Sequence, residues 1–218
     1  MCGRFAFYSP TEATTALFGV TTDLQIEARY NIAPGQYIAA IRGAGPETRE
    51  LVMLRWGLVP GWAKDARIGN RMINARAETI TEKPSFRHAY KYRRCLIPAS
   101  GFYEWRKEPT GKTPYFITRA DNSPIFFAGI WENWQSGDCE KLLQTTCIIT
   151  TRANKFMTRL HHRMPLMLDL DDVPHWLSGD NDLINRGSIN TPALQAWPVD
   201  RRVNNPTNES PALIERLL

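Results

Sequence analysis

The stretch Arg94-Cys95-Leu96-Ile97-Pro98-Ala99-Ser100-Gly101-Phe102-Tyr103-Glu104-Trp105-Arg106-Lys107 decides how the chain folds. Cys95 to Pro98 and Gly101 to Lys107 are rich in β-branched and aromatic residues, and both read as strands. Pro114 to Thr118, Ile125 to Trp131 and Leu142 to Thr150 continue the pattern. Turn signals separate them: Glu108-Pro109-Thr110-Gly111, Asp121-Asn122-Ser123-Pro124 and Ser136-Gly137-Asp138. Connections this short favour antiparallel neighbours. Upstream, Tyr37 to Arg42 and Glu50 to Trp56 are two more strands, joined by Gly43-Ala44-Gly45-Pro46, and Met72 to Ala75 is a short one. The interval from Gly57 to Asn70 reads as irregular, punctuated by Pro60, Gly61 and Gly69. Helices are few. Ser9-Pro10-Thr11-Glu12 has the capping-box pattern and opens one that runs through Leu17 and stops at Gly19. Ser85 to Tyr92, Ala153 to His161 and Val173 to Leu177 are the others. The expected fold is α+β: one domain over residues 1–218, with a curved, mainly antiparallel, barrel-like β core and short flanking helices.

Composition bounds the function. The 218 residues are 43% hydrophobic and 22% charged, which fits a globular chain and argues against disorder. Such a length buries a sizeable core without staples. No apolar run approaches the ~18 residues of a membrane span. No basic segment followed by an apolar one opens the chain, so a cytoplasmic location with reduced thiols is expected, nucleoid-associated if the source is bacterial. The net charge of +5 is too small for a histone-like tail but suits an anionic partner. Of the 27 basic residues 20 are Arg, whose planar fork matches phosphate, although a bias in codon usage would give the same count.

The cysteines lie at 2, 95, 139 and 147, with no C-x-x-C pair and no spaced histidine set, so neither a metal nor another cofactor is expected. Cys95 and Cys147 sit in apolar runs and read as core; Cys139 lies in a polar turn. Cys2 is different. Removal of Met1 leaves an amine and a thiol on adjacent carbons, with peptide reference pKa values of ~7.7–8.0 and ~8.5. A folded-in Arg4 would depress both. Such a terminus supports two chemistries. The thiolate attacks an amide carbonyl with the amine as base, or the amine condenses with an aldehyde and the thiolate closes a thiazolidine ring on the imine.

Five further segments are more specialised than packing requires: Arg29-Tyr30-Asn31-Ile32-Ala33-Pro34-Gly35, Trp56-Gly57-Leu58-Val59-Pro60-Gly61-Trp62, Asn74-Ala75-Arg76-Ala77-Glu78, Gly101-Phe102-Tyr103-Glu104-Trp105 and His161-His162-Arg163-Met164-Pro165. With Met1-Cys2-Gly3-Arg4-Phe5, these six stretches, in this order, resemble the SOS-response-associated peptidase (SRAP) family from residue 2 to about residue 208. The resemblance implies a sensor of abasic sites in single-stranded DNA that cross-links to the ring-opened sugar through its amino-terminal Cys. The family's peptidase label is read as removal of the initiator Met.

Roles follow residue by residue. Cys2 is the nucleophile. Glu104, set between aromatics, reads either as a partly buried acid–base group or as a salt-bridged strand residue; the resemblance puts it at the sugar. His161 and His162 are indistinguishable by composition, and His161 is chosen because it fits the family's H-x-R-x-P pattern. Asn74 aligns with an active-site Asn whose amide holds a sugar hydroxyl or the Cys2 backbone; turn capping is the ordinary alternative. Arg4, Arg76 and, more weakly, Arg163 are the phosphate candidates, with Arg4 and Arg76 expected on the face of Cys2, Asn74, Glu104 and His161. Pro34 and Trp62 lie in loops where the family meets nucleotides, Trp62 as a base-stacking platform. Trp56 and Trp105 read as core. The family's second aromatic after Trp62 is replaced here by Ala63, so preference for DNA junctions is expected to differ. A monomer is expected. Two alternatives stand beside this reading. One is an amino-terminal-Cys amide hydrolase, since class II glutamine amidotransferases also begin Met-Cys-Gly, although the chain leaves no room for an ammonia-accepting domain. The other is a non-covalent single-strand-binding module in which Cys2 is incidental.

Overall fold

The computed structural model describes residues 2–9, 11–45, 48–109, 111–136, 142–181, 183–184 and 192–217. Pro10 of the capping box, Pro46, Thr110 and Gly137-Asp138 of the expected turns, and Cys139 lie outside these residues. Thirteen strands are seen among them: β1 Phe5–Phe7, β2 Arg29–Ile32, β3 Tyr37–Gly43, β4 Arg49–Trp56, β5 Asn74–Arg76, β6 Arg94–Ala99, β7 Gly101–Glu108, β8 Gly111–Arg119, β9 Ile125–Trp134, β10 Leu143–Arg152, β11 Arg163–Pro165, β12 Met167–Leu168 and β13 Leu194–Pro198. Helices α1 Thr11–Phe18, α2 Arg87–Tyr92 and α3 Asp172–Ser178 are short, and among the described residues no helix is long and apolar enough to cross a membrane.

The strands form two systems. Pairings β4–β3, β3–β6, β6–β9 and β9–β10 are antiparallel, and a parallel β10–β4 pairing closes them into a five-stranded barrel. A second, antiparallel sheet runs β13-β8-β7-β1-β2. Because this sheet and the helices cover the barrel, β6 is buried at every position, as are the first six residues of β9. That explains why these segments read as unbroken apolar runs rather than alternating ones. Cys95 and Cys147 are fully buried among them, and burial pushes the Cys95 thiol up to about 12.

β5 continues the edge that β4 begins. Thr146 of β10 faces Trp56, and Ile148 faces Asn74, both in parallel register. The chain between them, 57–73, makes the irregular excursion expected from its Pro and Gly content. Gly57 turns out of β4 at φ 126, and a Cβ there would meet the Gly69 carbonyl oxygen at 2.6 Å. Both the positive φ and the close backbone approach require glycine.

The expected fold class is observed, with the parallel β10 pairings as the exception to antiparallel order. One helix is not formed. Ala153 to His161 holds only a 3₁₀ turn, Met157–Arg159. This segment must reverse the chain so that Arg163 pairs with Arg152, and Ala153 already donates to the His162 carbonyl. Ten residues that close an antiparallel hairpin leave no length for a longer helix. Trp56 is core, as expected, whereas Trp105 is half-buried with its Nε1 donating to Asn204 Oδ1.

The two sheets are joined by aromatic rings. Phe5 of β1 meets Trp56 edge-on at 5.3 Å and Phe127 at 6.0 Å, and Phe102 of β7 meets Phe127 at 5.9 Å. Phe5→Ala is expected to cost about 3–5 kcal/mol, read from the urea midpoint at unchanged slope.

Candidate active site

The amino-terminal segment is built into the interior. Phe5 pairs with Phe102 and Ala6 with Gly101, and Tyr103 N–H donates to the Arg4 carbonyl. Extending that antiparallel register carries Gly3 and Cys2 along β7 beside Glu104. Cys2 is fully buried, and Asn74 Nδ2 donates to its carbonyl oxygen at 2.8 Å. Asn74 is placed there by β5, whose neighbour β10 sets its register. Its Oδ1 is buried and has no partner among the described residues, so one acceptor remains available to an incoming donor. Glu104 is 3% exposed, and its Oε1 lies 4.0 Å from His161 Nδ1. Cys2, Asn74, Glu104 and His161, drawn from the amino terminus, β5, β7 and the β10–β11 hairpin, are therefore one cluster.

Burial dominates its electrostatics. It pushes the Cys2 thiol well up, the Glu104 carboxylate adds to this, and a hydrogen bond from the Arg4 backbone works against it. The expectation that Arg4 would depress the thiol is overturned. The Arg4 guanidinium turns away, with Nη1 donating to Asn31 Oδ1 and to the Val203 carbonyl, each at 2.7 Å. Burial likewise lowers the His161 imidazole, and the Glu104 carboxylate opposes the shift. His161 Nδ1 lies 3.0 Å from the Arg163 N–H and 3.2 Å from the Arg163 carbonyl oxygen, so the Arg163 backbone orients the ring. The His161 and His162 rings stack at 4.2 Å.

The expected phosphate residues are dispersed. Arg76 is exposed, two positions beyond Asn74 along β5, and with Arg152, Thr158, His162 and Arg163 it lines an open cavity of about 470 Å³. Arg163 itself is buried and committed. Its fork binds both carboxylate oxygens of Glu78, at 2.5 and 2.9 Å, and the Thr150 carbonyl at 2.6 Å. Its charge is thus matched by that of Glu78. Trp62 is 60% exposed and borders a different recess, with His88, Arg93 and Glu132. Pro34 is half-buried in the turn after β2, where Gly35 donates to the Trp56 carbonyl.

Sequence reasoning missed Glu78, Arg152 and Asn31. Glu78 and Asn31 stood inside the recognised segments without a role. Asn31 is fully buried, accepting from Arg4 and donating to the Asn205 and Asn208 carbonyls. Arg152 had no signal, because only the hairpin brings it next to Arg163.

Comparison with known proteins places the chain in context. The family described as SOS response associated peptidase (SRAP) matches residues 1–206. The abasic site processing protein YoqW of Bacillus subtilis is 41% identical, with 99% of each chain covered. The abasic site processing protein YedK of Escherichia coli is 34% identical, again with 99% of each chain covered. A crystal structure of a protein from Bacteroides thetaiotaomicron superposes with a TM-score of 0.89 at 27% identity, covering 100% of both chains.

The burial of His161 sets a pH dependence. Its folded pKa lies below the ordinary ~6.5, so its contribution to stability is complete above ~6.5 and is lost as pH falls through the folded value. NMR titration is expected to give a His161 midpoint under 6.5. Glu104→Gln, which removes the opposing carboxylate, is expected to lower it further; a midpoint that rises in this variant contradicts the assignment.

Proposed function

The chain belongs to the SOS response associated peptidase (SRAP) family, and on that premise we propose that it processes abasic sites in single-stranded DNA by covalent capture through Cys2. The observation that carries the reading is the buried Cys2 held by Asn74 beside the Glu104–His161 pair. Met1 is removed, by the protein itself or by an aminopeptidase, and Cys2 then bears the α-amine. The protein acts as a monomer in the cytoplasm.

The chemistry begins at the amine. The ring-opened abasic sugar presents a C1′ aldehyde; the Cys2 amine adds to it, and water leaves to give an imine. Loss of water needs a proton delivered to the departing oxygen, and Glu104 and His161 are the groups placed to move it. The Cys2 sulfur then bonds to the imine carbon while the thiol proton passes to nitrogen. Aldehyde plus aminothiol becomes thiazolidine plus water, with no redox change. A thiol pushed up by burial is protonated at rest, which favours this order: the amine reacts first, and the sulfur follows once its proton has an acceptor. The Asn74 amide fixes the Cys2 carbonyl, so the nucleophile is preorganised rather than searching for the aldehyde.

Attraction to the strand is assigned to exposed cations. Arg76 and Arg152 face the cavity beside His162 and supply a contact to phosphate independent of base sequence. Trp62 offers a face on which an unpaired base stacks.

An oligonucleotide with one abasic site is expected to give a band that survives denaturing electrophoresis, whose mass equals the chain without Met1 plus the DNA less one water. Absence of that band overturns the reading. Cys2→Ala is expected to give no stable adduct, yet to be trapped by borohydride, because its amine still forms the imine. Asn74→Ala is expected to slow capture by up to about a hundredfold while keeping affinity for intact strand.

A further inference from the structure

The Glu78–Arg163 pair lies outside the reacting cluster, yet it touches the strands that build it. Glu78 sits in the 3₁₀ turn Ala77–Thr79 that directly follows β5, the strand of Asn74. Arg163 opens β11, two residues after His161. Its side chain binds Glu78 through both nitrogens of the fork, and Nη2 also donates to the Thr150 carbonyl and, at 3.2 Å, to Thr150 Oγ1 on β10. Thr150 in turn pairs with Arg76 of β5 on one side and with Pro165 of β11 on the other. One guanidinium therefore ties three strands at the point where Asn74 and His161 converge.

The consequence reaches the imidazole through the backbone. With the Arg163 side chain braced, its N–H is held at 3.0 Å from His161 Nδ1. The Arg163 carbonyl oxygen lies 3.2 Å from the same nitrogen, so this backbone holds the ring through both groups and a shift in it changes which partner Nδ1 takes. The Glu78 carboxylate suits this bracing. The Arg163 hydrogen bond pulls it below its ordinary value, so it stays ionised at neutral pH. A paired, two-pronged contact also fixes direction as well as distance.

Resting on the proposed capture of abasic sites, the geometry points to Glu78 as a positioning residue for the reaction: bracing Arg163, it fixes the backbone that holds the His161 ring in one orientation and one tautomer, in register with Asn74. Glu78 acts through Arg163 and touches no reacting atom.

Two measurements test this. Two-bond ¹⁵N–¹H correlation spectra of the imidazoles, recorded without DNA, are expected to show His161 as a single dominant tautomer in the wild type and as a tautomer mixture in Glu78→Gln. Single-turnover cross-linking to an abasic oligonucleotide is expected to slow ~tenfold in Glu78→Gln, with affinity for the undamaged strand unchanged. Because Glu78 works through Arg163, Glu78→Gln added to Arg163→Met is expected to slow the reaction no further than Arg163→Met alone. An unchanged tautomer and rate in Glu78→Gln overturns the proposal, as does an additive loss in the double variant. Tighter binding of undamaged strand by Glu78→Gln at an unchanged tautomer also overturns it, since Glu78 would then restrain Arg163 from phosphate. Should Glu78→Gln fail to fold by thermal melting, Arg163→Lys carries the same comparison: it keeps the charge but loses the paired fork. A wild type that forms no adduct defeats the capture reading alone, and the tautomer comparison still decides the role of Glu78.

Discussion

Everything in the site depends on the anchoring of the first residues. A chain terminus ordinarily frays, because nothing offsets its conformational entropy. Here Phe5 is wedged between Trp56 of the barrel and Phe127, and β1 is paired on both edges, with β7 and with β2. Those contacts hold Cys2 where the Asn74 amide can bind its carbonyl. A residue on a mobile tail would have to be ordered at each encounter; a buried one has met that cost in folding.

Burial then sets the chemistry. It opposes charge on both the thiol and the imidazole, so Cys2 and His161 are neutral at rest. Glu104 works on both in the same sense, disfavouring the thiolate and favouring the imidazolium. A site of this kind does not hold a standing thiolate. It keeps the thiol protonated and the imidazole neutral, and it guards a buried thiol from adventitious oxidation. Exposed cations stand outside this cluster: Arg76 and Arg152 face solvent, while Arg163 is matched by Glu78.

The long strands of the barrel were legible because burial on both faces leaves continuous β-branched and aromatic runs, as in Ile125–Trp134 and Leu143–Arg152. The three-residue strands Phe5–Phe7 and Arg163–Pro165 were not, since so few residues show no period and their pairing comes from partners remote in sequence. The expected helix from Ala153 to His161 fails for a related reason: local propensity was sound, but the β10–β11 pairing left a hairpin no room for it. Among the site residues, the motifs that contained Cys2, Asn74, Glu104 and His161 stood out by composition, and the structure gathers these four. The arginines did not behave as a class. Arg4 and Arg163 are internal fasteners, Arg76 is exposed at the surface, and Arg152 gave no signal at all.

What the amino-acid sequence determined by itself was therefore the inventory: a β-rich α+β fold, an aminothiol in prospect at residue 2, and the segments from which a site would be assembled. Those properties reside in residue type and short-range order. Only the tertiary structure decided which arginine is committed to a carboxylate and which faces solvent, which way the thiol and imidazole shift, and which backbone groups orient the His161 ring. Each of these depends on burial and on partners tens of residues away, such as Glu78 for Arg163 and Asn31 for Arg4, and no local pattern encodes a distance in space.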